Sequence, residues 1–117
     1  MSTNVLVVED YLDSAKLLEM MLKTCGYTVC LAPDGPAAIN AARKLVPDFV
    51  LLDIGLPGMD GYEVAKRLRR DVGLVPPVKI IALSGFQPNE EKQAESGIDH
   101  HMMKPLDLKE LLGLVRC

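Results

Sequence analysis

Four short pieces of the sequence end in side chains that could bind a cation and a phosphoryl group together. Each piece is a run of apolar residues that stops at an acid, a hydroxyl or an ammonium group. Close carboxylates raise one another's pKa unless a cation lies among them, and oxygen ligands with room for water suit Mg²⁺. The pieces end at Glu9-Asp10, at Asp53, at Ser84-Gly85 and at Lys104-Pro105.

Asp53 is the residue of this set that could act as a nucleophile, because the loop after it is rich in Gly and Pro. Beside a bound metal ion, its carboxylate can attack phosphorus and form an acyl phosphate. A backbone carbonyl just after Asp53 could complete the metal coordination, and Gly55 leaves space for water and for the phosphoryl group. Lys104 and Mg²⁺ would neutralise the phosphoryl oxygens, and the Ser84 hydroxyl would donate a hydrogen bond to them.

These pieces are far apart in the sequence, so the elements between them must bring them together. Short β-branched runs alternate with stretches of helical spacing, such as Leu12, Ala15 and Leu18. Gly26 and Gly97 mark helix ends. The predicted strands are Asn4–Val8, Tyr27–Leu31, Asp48–Leu52, Val78–Leu83 and His101–Met103. The predicted helices are Tyr11–Cys25, Ala37–Leu45, Asp60–Arg70, Pro88–Ser96 and Asp107–Val115.

This alternation predicts an α/β fold, a doubly wound (βα)5 domain with one parallel five-stranded sheet. Short strands joined by helices require parallel pairing and right-handed crossovers. We expect the flavodoxin-like strand order 2-1-3-4-5. In this order the winding reverses between the first and third strands, and ligands bind beyond the carboxyl ends of the strands there. All four pieces follow strands at that edge, so we expect one shared site.

The composition fits a single domain over residues 1–117 and argues against several function classes. Apolar residues make up 49% of the chain, enough for a core, and the net charge of −3 gives no bulk support for direct nucleic-acid binding. No apolar run approaches the ~20 residues of a membrane span, so we expect no membrane contact. The three cysteines form no CxxC pair, and their odd number favours a reducing, cytoplasmic location over a disulfide scaffold.

Four sequence blocks together resemble the receiver domain of two-component response regulators of the chemotaxis-regulator type. The blocks are Glu9-Asp10, LLDIGLPGMDGYE around Asp53, ALSG around Ser84 and HMMKPLD around Lys104, and they cover nearly the whole chain. The resemblance implies a phosphorelay module in which Asp53 takes a phosphoryl group from a histidine kinase or a histidine phosphotransfer protein. Phosphorylation would change the face formed by the fourth helix, the fifth strand and the fifth helix.

The resemblance also implies roles for individual residues. Glu9, Asp10, Asp53 and the Gly55 carbonyl would hold Mg²⁺, Ser84 with Gly85 would supply the switch hydroxyl, Lys104 would bind the phosphoryl group, and Pro105 would follow a cis peptide bond. His101 stands where the family often has a switching Tyr or Phe. A histidine can also move between buried and exposed positions, although its charge opposes burial at acid pH.

Two other function classes stay open on the sequence. A Mg²⁺-dependent phosphohydrolase also forms an aspartyl phosphate, but such enzymes commonly place a second acid where this chain has Gly55, and a cap domain does not fit in 117 residues. A flavodoxin-like cofactor binder would need a Gly-rich or Ser/Thr-rich loop after the first strand, and that turn has neither. The sequence fits a stand-alone receiver or part of a longer protein such as a hybrid histidine kinase.

Single residues also have plain structural interpretations. Asp10 could cap the first helix, Asp53 could satisfy backbone donors in a turn, and Lys104 could be a solvated surface residue. These interpretations do not explain why all four pieces converge on one edge of the sheet.

Overall fold

The computed structural model describes residues 3–116, and within them five strands alternate with five helices. The strands are β1 (Asn4–Val8), β2 (Thr28–Ala32), β3 (Phe49–Asp53), β4 (Lys79–Ser84) and β5 (His100–Met103). The helices are α1 (Leu12–Thr24), α2 (Gly35–Leu45), α3 (Gly61–Arg70), α4 (Glu90–Ser96) and α5 (Leu108–Leu114). The predicted alternation is confirmed, with ends that differ by one or two residues.

The strands form one parallel sheet in the order β2-β1-β3-β4-β5, which confirms the predicted order. β1 and β3 are neighbours although α1, β2 and α2 separate them in the chain. Their register pairs Val8 with Leu52, so the residues that follow these strands emerge side by side. We call the set of loops after β1, β3, β4 and β5 the carboxyl edge.

Alternate residues of the central strands pack into two cores, one on each face of the sheet. Both faces of β1 and β3 are covered, so these strands are continuous apolar runs in the sequence. Burying one Val or Leu side chain contributes about 1.5–3 kcal/mol, and this packing fixes the end of β3 at the carboxyl edge. One core contains Leu6, Val8, Val50, Leu52, Ala38 and Leu68, and the other contains Val5, Val7, Leu51, Leu22 and Leu111.

Aspartate side chains cap three of the helices, α2 through Asp34, α3 through Asp60 and α5 through Asp107. Asp60 Oδ1 accepts a hydrogen bond from the Tyr62 N–H at 3.0 Å, and Asp107 Oδ1 accepts one from the Glu110 N–H at 3.2 Å. Asp10 does not act in this way, because the N-cap of α1 is Tyr11 and no side chain caps that helix. The plain interpretation of Asp10 as a helix cap is therefore wrong.

Several helix and strand ends differ from the sequence prediction for local reasons. α4 begins at Glu90, two residues after Pro88, because Asn89 caps it. β3 extends through Asp53, which pairs with Leu83 of β4.

Leu12 is 59% exposed, although helical spacing placed it with the core residues. It is the first residue of α1, and the first buried residue of that helix is Ala15. Spacing defines the apolar stripe of a helix but does not show where along that stripe the helix leaves the core.

Two further expectations concern the cysteines and the membrane. Cys30 is a free thiol, whereas Cys25 is disulfide-bonded, so the odd cysteine count did not exclude a disulfide. Within residues 3–116, no helix has the length and apolar character needed to cross a bilayer.

Candidate functional site

The carboxyl edge brings the three predicted carboxylates together. Glu9 and Asp53 are only 4% and 7% exposed, whereas Asp10 is exposed to solvent. One ligand oxygen from each of Glu9, Asp10 and Asp53 lies within 4.8 Å of the other two. The adjacent ends of β1 and β3 produce this cluster, as the predicted strand order requires.

Lys104 reaches the same cluster from the loop after β5. Its Nζ donates to Glu9 Oε2 at 3.1 Å and to Asp53 Oδ2 at 3.3 Å. Its backbone N–H donates to the Ser84 carbonyl at 2.7 Å, which ties the end of β5 to the end of β4. The peptide bond between Lys104 and Pro105 is cis.

Backbone N–H groups orient the two buried carboxylates. Asp53 Oδ1 accepts a hydrogen bond from the Gly55 N–H at 2.9 Å, and Glu9 Oε1 accepts one from the Tyr11 N–H at 3.2 Å. Each carboxylate therefore has one oxygen held by the following loop and the other by Lys104. Both acids stay aimed at the centre of the site.

Burial and charge act in opposite directions on the protonation of this cluster. Burial raises the pKa of Glu9, the hydrogen bonds from Lys104 and Tyr11 oppose that rise, and the charge of Asp53 adds to it. Burial by itself would lower the pKa of Lys104, but the hydrogen bond to Glu9 and the two carboxylate charges outweigh it, so the pKa is raised. Lys104 is therefore a cation at neutral pH that compensates two buried acids.

The donor set fits a hard divalent cation. Three carboxylates converge, and oxygen is the ligand atom that Mg²⁺ prefers. Asp10 is exposed, so water can reach the cluster and complete a coordination shell. A Cβ added at Gly55 would stand 3.6 Å from Asp53 Oδ1, so the glycine keeps the space beside this carboxylate open.

Ser84 lies at the same edge, but its hydroxyl has other partners. The side chain is 1% exposed, and Oγ donates to the Phe86 carbonyl at 2.6 Å. His101 Nε2 lies 2.8 Å from the same oxygen. Burial lowers the pKa of His101. Gly85 follows Ser84 and is exposed, so the loop into α4 begins at the surface.

Comparison with known proteins decides which family has this edge. The family model described as the response regulator receiver domain matches residues 5–116. The chain belongs to this family. The match extends from β1 to the end of α5 and includes every residue of the candidate site. The resemblance stated from the sequence is confirmed.

Two curated relatives place this receiver domain beside longer response regulators. It is 38% identical over 116 residues to the DNA-binding response regulator MtrA of Mycobacterium tuberculosis, covering 99% of this chain and 50% of that protein. It is 39% identical over 118 residues to the response regulator PleD of Caulobacter vibrioides, covering 99% of this chain and 26% of that protein. The chain thus spans half or less of the length of these two relatives.

Solved structures share the whole fold of this receiver domain. The chemotaxis protein CheY4 of Vibrio cholerae superimposes with a TM-score of 0.91 at 25% identity, covering 99% of this chain and 98% of that one. The receiver domain of the sensor histidine kinase PA1611 from Pseudomonas aeruginosa superimposes with a TM-score of 0.83 at 30% identity, covering 99% and 96%. The latter structure is described with a magnesium ion coordinated in its active site cleft.

Two residues that shape the site of this receiver domain were not singled out from the sequence. A Cβ at Gly61 would stand 2.5 Å from Ile54 Cα and 2.9 Å from the Asp53 carbonyl oxygen, so only glycine lets α3 approach the end of β3 this closely. Tyr62 Oη accepts a hydrogen bond from the Asn89 N–H at 3.0 Å and ties the start of α4 to α3. Both contacts join distant segments, which local spacing does not encode.

Proposed function

We propose that this receiver domain accepts a phosphoryl group on Asp53 from a phosphohistidine donor in a Mg²⁺-dependent reaction. The observation that carries the proposal is the position of Lys104, whose ammonium group binds Asp53 and Glu9 together. Lys104 is 51 residues from Asp53 in the chain, so this contact depends on the whole fold. An ammonium already beside the nucleophile can pair with phosphoryl oxygens without a large movement.

Asp53 has the position and orientation that a nucleophile needs. The Gly55 N–H holds Oδ1 and so fixes the plane of the carboxylate. A carboxylate oxygen attacks phosphorus, the P–N bond to the donor imidazole breaks, and the imidazole nitrogen keeps the electron pair of that bond. The products are an acyl phosphate on Asp53 and a histidine without its phosphoryl group.

The metal ion has a defined place in this proposal. Glu9, Asp10, Asp53 and the carbonyl of Gly55 are the residues that would hold it. When bound, Mg²⁺ supplies positive charge at the phosphoryl oxygens. Lys104 Nζ supplies the remaining cation, and the Ser84 hydroxyl donates a hydrogen bond to the phosphoryl group.

The phosphoryl group draws Lys104 and Ser84 away from their present partners, and this makes the domain a switch. Ser84 is the last residue of β4 and Lys104 follows the last residue of β5, and the loops that begin there lead into α4 and α5 respectively. A change at these two ends therefore reaches the face formed by α4, β5 and α5. The domain acts as a regulatory module that assists its own phosphorylation and dephosphorylation.

The phosphodonor protein has an apolar surface to contact beside the site. Tyr11, Leu17 and Leu108 are 62%, 52% and 41% exposed. Leu17 and Leu108 line a groove of about 310 Å³ that Glu9 and Lys104 also border. Exposed apolar side chains next to a polar reaction site are typical of a protein-binding surface. We expect the partner to dock over this groove. We also propose a cytoplasmic location, which rests on the family alone because the disulfide at Cys25 removes the support of the cysteine count.

Turnover of small phosphate esters is not favoured for this chain. Position 55 is glycine, so no second acid stands two residues after the nucleophile to protonate a leaving group. Water alone would release phosphate from Asp53. Steady hydrolysis of p-nitrophenyl phosphate by the purified domain would contradict this part of the proposal.

Acetyl phosphate tests the proposal directly. Incubation with acetyl phosphate and Mg²⁺ should add one phosphoryl mass to the wild-type chain and none to Asp53→Asn. Asp71→Asn is the matched control, because it removes one carboxylate from an exposed position beyond α3 and should be modified like the wild type. Equal modification of Asp53→Asn, or none in the wild type, would overturn the proposal.

A further inference from the structure

The Ser84 hydroxyl has a full set of hydrogen-bond partners before any phosphoryl group arrives. Its Oγ donates to the Phe86 carbonyl at 2.6 Å. The same atom lies 2.8 Å from His101 Nε2 and accepts a longer bond from the Phe86 N–H at 3.4 Å. A serine hydroxyl has one proton and two lone pairs, so these three contacts use all of its capacity.

These contacts determine which nitrogen of His101 carries a proton. A carbonyl oxygen can only accept, so the short contact with Phe86 requires the single proton of Ser84. That proton is then absent from the side facing His101, and Nε2 must supply its own. His101 Nε2–H is therefore the donor and Ser84 Oγ the acceptor. A ring with its proton only on Nδ1 would place two lone pairs against each other at 2.8 Å.

His101 and Asp53 lie on opposite sides of Ser84. β4 runs between β3 and β5 in the sheet. Asp53 is paired with Leu83 on one side of β4, and His101 with Ala82 on the other. A phosphoryl group on Asp53 would therefore approach Ser84 from the β3 side, whereas its present hydrogen bonds involve β5 and the loop into α4.

We propose that His101 is a positioning residue whose Nε2–H holds the Ser84 hydroxyl on the β5 side until Asp53 is phosphorylated. This inference rests on the proposed function. To donate to a phosphoryl oxygen, Ser84 must release the Phe86 carbonyl and turn away from His101. The bond to His101 therefore favours the unphosphorylated arrangement. Removing one neutral hydrogen bond should shift the equilibrium towards the phosphorylated arrangement by about fivefold.

A groove beside the His101 ring can accept the ring once its hydrogen bond to Ser84 is broken. His101 lines a groove of about 490 Å³ between β5 and α4, together with Pro88, Gln93 and Ala94. Glu90 and Asp99 are the charged residues that line the same groove. Movement of the ring into this groove would change the α4 face at the moment when Ser84 turns towards Asp53.

Two measurements test the inference, with beryllofluoride and Mg²⁺ as the phosphoryl probe. In ¹⁵N-histidine NMR spectra of the wild type near neutral pH, His101 should carry its proton on Nε2, with His100→Gln used to assign the two rings. His101→Phe keeps a ring and removes the donor, so it should bind beryllofluoride about fivefold more tightly than the wild type. The difference should disappear when both chains also carry Ser84→Ala.

The outcomes separate this inference from the proposed function. A proton on Nδ1 of wild-type His101 would overturn the inference whatever the variants do. Equal or weaker probe binding by His101→Phe, or a fivefold gain that persists in the Ser84→Ala background, would also overturn it. Failure of the wild type itself to bind the probe at Asp53 would overturn the proposed function as well.

Discussion

Lys104 and Arg69 are two cations that lie at opposite edges of the sheet and have different roles. Lys104 lies at the carboxyl edge with a side chain 35% exposed, and its Nζ binds two acids. Arg69 belongs to α3 and is 16% exposed. It reaches the opposite edge of the sheet, where β4 and β5 begin, and there it binds three backbone carbonyls and one carboxylate.

The partners of Arg69 complete one another. Its guanidinium donates to the carbonyls of Gly97, Leu74 and Val78 and to Asp99 Oδ2, at 2.8–3.1 Å. Asp99 Oδ2 also accepts the Ile80 N–H at 2.8 Å. These hydrogen bonds of Arg69 and Asp99 join α3 to the starts of β4 and β5, and no ligand of the candidate site competes for them. Lys104 binds acids that a cation or a phosphoryl group would also engage, so its contacts can be exchanged.

The largest effect on stability should come from Arg69→Met. The substitution removes the guanidinium donor from three carbonyls and leaves Asp99 Oδ2 with only the Ile80 N–H. We therefore expect the free energy of unfolding to fall by roughly 2–4 kcal/mol in urea titrations. Arg67→Met is the matched control, because Arg67 is 46% exposed and forms an i,i+4 surface pair with Glu63. Its loss should cost about 0.5 kcal/mol or less. Equal effects would contradict a structural role for Arg69.

Lys104→Met should have its main effect on binding of the phosphoryl analogue and a smaller effect on stability. We expect beryllofluoride affinity to fall about tenfold or more, because a charge-assisted hydrogen bond to the phosphoryl analogue is worth about 1.5–3 kcal/mol. Stability should fall less than in Arg69→Met, because Lys104 is more exposed and donates two hydrogen bonds where Arg69 donates four. Lys109→Met, an exposed lysine of α5, is the control and should bind the probe like the wild type. A Lys104→Met variant that loses stability but binds the probe like the wild type would contradict the different roles assigned to Lys104 and Arg69.

The smallest effect should be a pH dependence due to His101. Burial lowers its pKa below the ordinary value of 6.5, so between these two values the unfolded chain binds more protons than the folded one. The free energy of unfolding should therefore fall as pH drops below about 6.5 through this window. Urea titrations between about pH 5 and 8 should show a shallower fall in His101→Gln than in the wild type. An unchanged slope in His101→Gln would count against the prediction.

The Lys104 site and the Arg69 cluster also differ in how much of each could be predicted from the sequence. Glu9, Asp53 and Lys104 each stand at the end of a short run whose apolar composition predicts a strand. Parallel strands bring their carboxyl ends to one edge of the sheet. The site was therefore visible once the strand order was predicted. Arg69 stands among Arg67 and Arg70, and nothing local distinguishes the arginine that turns inwards. Its partners come from loops whose paths depend on the finished fold.

The hydrogen bond between Ser84 and His101 falls between these cases. Both residues were singled out, and His101 was recognised as a departure from the usual aromatic residue. No local pattern indicates their direct contact, because this contact depends on the rotamers of two side chains on neighbouring strands. The close approach of Gly61 to Ile54 could not be predicted for a similar reason. In the sequence, a glycine at a helix start that is required by close packing cannot be distinguished from one that is not.

Borohydride trapping tests the central claim most directly, because it identifies the residue that forms the acyl phosphate. After incubation with acetyl phosphate and Mg²⁺, reduction should convert only position 53 to homoserine, and peptide mass spectrometry should find this product there. The product should be absent when Mg²⁺ is removed by a chelator. Homoserine at Asp10 or at another aspartate, a reduced glutamate, or no reduced residue in the chain would contradict the account.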